Sequence, residues 1–125
     1  MDTIERERFL GRYMAMWHEP DAARRQALVQ ELWAGDAENI TRNFTARGME
    51  AIVARVAKAH DEWVARQGFI FRPAGHADGH NHLIRFTWEM VPGVGGPAQA
   101  RGLDVFVLGE DGRIRSLYQF AEPLA

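Results

Sequence analysis

One carboxylate, Asp104, lies inside the apolar run Gly102-Leu-Asp-Val-Phe-Val-Leu108, and its neighbours decide what it can do. In a strand alternate side chains share a face, so Gly102, Asp104, Phe106 and Leu108 point one way and Leu103, Val105 and Val107 the other. Asp104 therefore stands among apolar groups whichever face is inside. Burial disfavours the ionised carboxylate and raises its pKa, on the order of 3–5 pH units when complete. Such a group can give or take a proton near neutral pH. The structural alternative is an Asp bonded to backbone or to an arginine.

Other chemistries find little support in the spacing. His76, His80 and His82 lie close together, but only His80 and His82 are expected on one strand face, His76 lying across or beyond a glycine turn, and no helical His-Glu-x-x-His pair exists; no metal is expected. Ser116 is the only serine and lacks a Gly-x-Ser-x-Gly elbow. Pro92-Gly-Val-Gly-Gly-Pro97 precedes a strand rather than a helix, so it reads as a hairpin tip and not as a phosphate cradle. No cysteine is present, which removes disulfides and thiolate chemistry and suits a reducing cytoplasm. A net charge of −2 without basic clusters argues against nucleic acid. The charged N-terminal residues and the lack of a long apolar run argue against a membrane span and a targeting segment.

The elements that must position Asp104 follow from hydrophobic period. At 125 residues the chain is expected to form one domain, residues 1–125. Asp2, with Glu5 three residues on, predicts a helix whose inner stripe is Phe9, Leu10, Tyr13, Met14 and Trp17 and which ends near His18. A second helix is expected from Pro20, with Leu28, Val29, Leu32 and Trp33 inside and Gly35 as its stop. A short strand over 37–42 precedes a third helix over 48–68, whose apolar side carries Ile52, Val53, Val56, His60, Trp63 and Val64. Strands are then expected at 69–71, 80–91, 98–108 and 114–120, with turns at 75–79, 92–97 and 109–112. Helices followed by an antiparallel meander predict an α+β fold, a sheet curled over three helices.

On the strand over 80–91, His82, Ile84, Phe86, Trp88 and Met90 share the apolar face. Beside it the next strand carries the small residues Ala100 and Gly102, which leave room for a ligand among aromatics. Trp17, Trp63, Phe86, Trp88, Met90 and Phe106 are the candidate ligand contacts, joined by Gln119 on the last strand. Ordinary aromatic core is the competing account of each.

Five segments in order, Arg12-Tyr13, Leu32-Trp-Ala-Gly-Asp-Ala37, Arg47-Gly-Met-Glu-Ala-Ile52, Arg85-Phe-Thr-Trp-Glu-Met90 and Gly102-x-Asp with Glu-Asp-Gly-Arg-Ile114, resemble the NTF2-like, SnoaL-like superfamily. The resemblance implies a cystatin-like cone with a pocket between curved sheet and helices, and dimerisation through the outer sheet face. Its members include polyketide cyclases, ketosteroid isomerases, dehydratases, epoxide hydrolases and non-catalytic binders, so fold does not select the reaction. In the ketosteroid isomerase pattern a neutral aspartic acid and a tyrosine form an oxyanion hole. By that likeness Tyr13 and Asp104 are candidate catalytic groups, whereas the base position falls on Thr41 or Arg42 and carries no carboxylate. The polyketide-cyclase pattern adds a pocket histidine, for which His60 and His82 are the candidates.

Three readings follow. In the first, the aromatic pocket holds a small apolar or aromatic molecule, and Asp104 moves a proton in an isomerisation, aldol-type cyclisation or dehydration that needs no cofactor. The second keeps the pocket without turnover. The third uses Leu103, Val105 and Val107 on the outer face as an interaction surface, most simply a homodimer's.

Overall fold

The structure, a computed structural model, describes residues 1–124. Helix α1 (Thr3–His18) begins at the expected capping box: the Asp2 carboxylate accepts the Glu5 N–H at 2.8 Å, and the Glu5 carboxylate accepts the Asp2 N–H at 3.3 Å. Its buried stripe is Phe9, Leu10, Tyr13, Met14, Met16 and Trp17. Helix α2 (Ala22–Leu32) starts later than Pro20, because Asp21 caps it by accepting the Arg24 N–H at 3.0 Å. Nor does Gly35 stop it. Trp33 already has extended backbone and opens strand β1 (Trp33–Ile40), its indole buried against the Met16 sulfur.

Strand β2 (Thr45–Arg47) folds back on β1, and helix α3 (Met49–Ala59) runs on into a π-helical turn (His60–Ala65). Four longer strands follow: β3 (Phe69–His80), β4 (Leu83–Pro92), β5 (Ala100–Leu108) and β6 (Ile114–Ala121). The sheet order is β2-β1-β6-β5-β4-β3. Four of its neighbour pairs are antiparallel, but β1 runs parallel to β6, so the sheet is mixed rather than an antiparallel meander. Alternation within a strand says nothing about which distant strand it meets; the long connection that a parallel pair requires is supplied here by everything between β1 and β6.

The expected turn over 75–79 is also strand. Gly75, at φ 79°, sits where the β3–β4 register shifts between Ala74 and Asp78, which marks a bulge, and the chain reverses only at Asn81 and His82. On β5 the burial alternates as the sequence predicts, with Gly102, Asp104, Phe106 and Leu108 inside. Their face joins the helix stripes in one α+β core that includes Tyr13, Trp17, Ile52, Val56, Phe86, Phe106 and Leu117. No helix among the described residues is long and apolar enough to cross a membrane.

Candidate functional site

Asp104 lies at the floor of a cavity between sheet and helices, 1 % exposed. Three elements hold it. From α1 the Tyr13 hydroxyl donates to Oδ2 at 2.7 Å, from β4 the Trp88 indole N–H donates to Oδ1 at 2.9 Å, and from β6 the Gln119 amide donates to Oδ1 at 3.3 Å. Gln119 is oriented in turn by Asn39 of β1, whose amide donates to Gln119 Oε1 at 3.1 Å. The Trp88 geometry depends on Gly102, its cross-strand partner: a Cβ there would fall inside the indole ring, so only glycine lets the ring lie across β5 and reach Asp104. The room that Gly102 was expected to leave for a ligand is thus filled by Trp88 itself.

Burial raises the Asp104 pKa from 3.8 to about 6, against the hydrogen bonds from Trp88, Tyr13 and Gln119 and the charge of Arg55, all of which favour the anion. Tyr13 moves well above its ordinary value through burial, and then through the charge of Asp104, so it stays protonated and donates. Three donors use three of the roughly four acceptor positions of a carboxylate, and one remains. The arrangement is that of a buried, ionisable acceptor poised near neutrality. It differs from an oxyanion hole in which tyrosine and acid both donate to a ligand, because Tyr13 already donates to Asp104.

The cavity above Asp104 has a volume of about 240 Å³. Its walls include Trp17, Trp63, Phe71, Trp88 and Met90, with Arg55 the one cationic group. Arg55, Ala59 and Trp63 follow at intervals of four and share the face of α3 that looks inward, the last of them on the π turn. Such turns recur at functional sites. Arg55, Trp88, Ala100 and Gln119 also line a wider mouth of about 590 Å³ that opens toward Thr41, Arg42 and Tyr118.

Residues 10–117 match the model of the SnoaL-like domain family. The chain belongs to the SnoaL-like family. A solved structure of a proposed isomerase of the SnoaL-like family from Agrobacterium tumefaciens str. C58 is similar at 30 % identity and TM-score 0.83, over 92 % of this chain and 95 % of that one. An NTF2-like protein of unknown function from Exiguobacterium sp. 255-15 (18 % identity, TM-score 0.69, 91 % and 98 % covered) shares the fold. So does a proposed polyketide cyclase from Sinorhizobium meliloti (16 % identity, TM-score 0.62, 84 % and 90 % covered). No curated protein matches the chain significantly.

In this SnoaL-like chain the candidates separate into two groups. Asp104, Tyr13, Trp17, Trp63, Trp88, Met90 and Gln119 line the one cavity. Phe86 and Phe106 do not. The Tyr13 ring packs edge-on against both, at 5.9 and 4.7 Å between centroids, and so separates them from the open space. His82 does not line it either: β4 begins at Leu83, which leaves His82 exposed in the β3–β4 turn. His60 is buried, but its Nδ1 lies 2.8 Å from the Trp17 carbonyl oxygen, where it ties α3 to α1 outside the cavity wall. The sequence reading missed Arg55 and Phe71. Phe71 lies in the segment identified as strand, next to Trp88 with 5.5 Å between ring centroids. Arg55 gave no signal, being one of many arginines at ordinary helix spacing.

Proposed function

We propose that this SnoaL-like protein binds a small, mostly apolar, ring-bearing molecule in the aromatic cavity and that Asp104 moves a proton on a carbon next to its carbonyl group. The observation that carries this reading is the buried Asp104 carboxylate facing the cavity with three donors on it and a pKa near 6. Above that pH it is an anion with one acceptor position left, able to take a proton from carbon while the C–H electron pair moves into the carbonyl to form an enolate. The resulting neutral carboxyl can return the proton to a different carbon, which is an isomerisation. Its return to a leaving hydroxyl would be a dehydration. Tyr13 and Trp88 act throughout as fixed donors that keep Asp104 in place and temper its basicity.

One observation favours a binder without turnover. Thr41 and Arg42, at the mouth, bring no second carboxylate. Deuterium exchange separates the two readings: 2-tetralone in D₂O, followed by proton NMR, reports proton removal next to a carbonyl whatever the natural substrate. We expect accelerated exchange with the wild type and a loss of roughly 10²–10⁴-fold with Asp104→Asn. Equal exchange with both proteins rejects the acid–base role and leaves the binder.

The outer face of the sheet supports a second proposal, a homodimer. Leu103, Val105 and Val107 are half-buried there, and the exposed Phe120 and Tyr118 on β6 and Leu83 at the start of β4 lie across from them, extending an apolar stripe that Thr87, Arg85 and Ser116 flank.

A further inference from the structure

We infer that the molecule bound in the cavity carries a carboxylate, and that Arg55 holds it at the junction of cavity and mouth; this rests on reading the cavity as a small-molecule site. Arg55 is a partly buried cation on which the Asp104 and Glu62 carboxylates act only through space, without direct contact. Its Nε is buried with no hydrogen bond, and the guanidinium enters no ion pair among the described residues. A buried charge in that condition costs stability, which a bound anion would recover.

The side chain is held ready. Its guanidinium carbon lies 5.5 Å from the Trp17 ring centroid and 5.0 Å from that of Phe44. Phe44, itself 44 % exposed, is fixed by a turn in which the Thr41 N–H donates to the Phe44 carbonyl at 2.9 Å and Thr41 Oγ1 accepts the N–H groups of Asn43 and Phe44 at 3.3 and 3.2 Å. Aromatic contact with a guanidinium occupies its flat faces and leaves its N–H edge, the part that matches a carboxylate bidentately. Thr41 thus serves to present Phe44 to Arg55.

Charge around the opening agrees. The mouth is lined by Arg42, Arg55 and Arg101 and by no Asp or Glu among the described residues. Arg101 shares its charge with Glu89 at 3.8 Å, and Glu62, on the π turn, borders a separate surface pocket beside Arg55 and acts on it without forming an ion pair, so the excess at the mouth rests on Arg42 and Arg55. Such a field draws an anion inward before it binds. Arg55 and Asp104 line the same cavity and feel each other's charge, but they are not an ion pair. Repulsion from Asp104 and attraction to Arg55 would therefore seat a carboxylated ring in one orientation only, acid group at the mouth and apolar body over Asp104.

Matched probes test this. Phenylacetate and 1-naphthaleneacetate are compared with their neutral amides by calorimetric titration against wild type and Arg55→Gln, with Phe44→Leu as a milder variant that only loosens Arg55. We expect each acid to bind the wild type about tenfold or more tightly than its amide. That preference, the acid-to-amide affinity ratio, should vanish in Arg55→Gln and shrink in Phe44→Leu, and it should weaken with added salt. Equal affinity of acid and amide for the wild type, or a preference that survives Arg55→Gln, overturns the role of Arg55 and leaves the cavity reading intact. Failure of all four probes to bind the wild type overturns the cavity reading and this inference with it.

Discussion

Replacing Asp104 by Asn removes a charge from the core while keeping its shape, and its effect on stability can be worked out without knowing the substrate. Asn retains an oxygen to accept from Trp88 at 2.9 Å and Gln119 at 3.3 Å, and its NH₂ meets a Tyr13 hydroxyl that can turn from donor to acceptor. In the wild type the folded-state pKa is about 6 against 3.8 for an ordinary Asp. Between these values the folded chain holds more protons than the unfolded chain, so stability is highest below 3.8, falls as pH rises through the window, and levels off above 6. The gap corresponds to about 3 kcal/mol lost at about pH 7.5, and about 1 kcal/mol at about pH 4.5. The Asn variant lacks this loss. Urea unfolding at the two pH values should therefore show the stability of Asp104→Asn relative to wild type rising by about 2 kcal/mol from the lower pH to the higher. All other titrating groups cancel in that difference. A difference that is flat with pH, or that moves against the Asn variant as pH rises, would refute the claim that burial dominates the three donors around Asp104.

Gly102→Ala should disturb the site from beneath: the new Cβ falls inside the Trp88 ring and 2.8 Å from its Nε1, so the indole must move and release Asp104. A loss of about 1–3 kcal/mol in urea unfolding is expected, together with a shifted Trp88 fluorescence or NMR signal; an unmoved Trp88 signal at wild-type stability contradicts it. For the outer sheet face, light scattering at micromolar concentration should give twice the 14.2 kDa monomer mass, and Val105→Glu should give monomer. A wild type that runs only as monomer counts against the homodimer.

Much of this protein is local in origin and could be read from the chain. The Asp2 and Glu5 capping box, the α1 stripe ending at His18, and the alternation that turns Asp104 inward on β5 are each set by residues close in sequence, where periodicity and capping act. The order of motifs also carried the α+β family. Other features depend on contacts between distant segments. The parallel pairing of β1 with β6, the bulge that turns residues 75–79 from turn into strand, and the start of β1 at Trp33 follow from which surfaces meet. His82 has the parity of the inner face but lies past the strand's end, because the bulged β3 carries the reversal to Asn81 and His82. Phe86 and Phe106 belong to the right face and lie behind Tyr13. Arg55 was invisible for the same reason: an arginine on a helix reads as solvated until packing against Trp17 and Phe44 places it on a cavity wall. Sequence determined which face each side chain takes on its own element, since backbone period alone sets that. Tertiary structure decided which of those side chains border empty space and which are covered, since that depends on the volumes of neighbours brought from other parts of the chain.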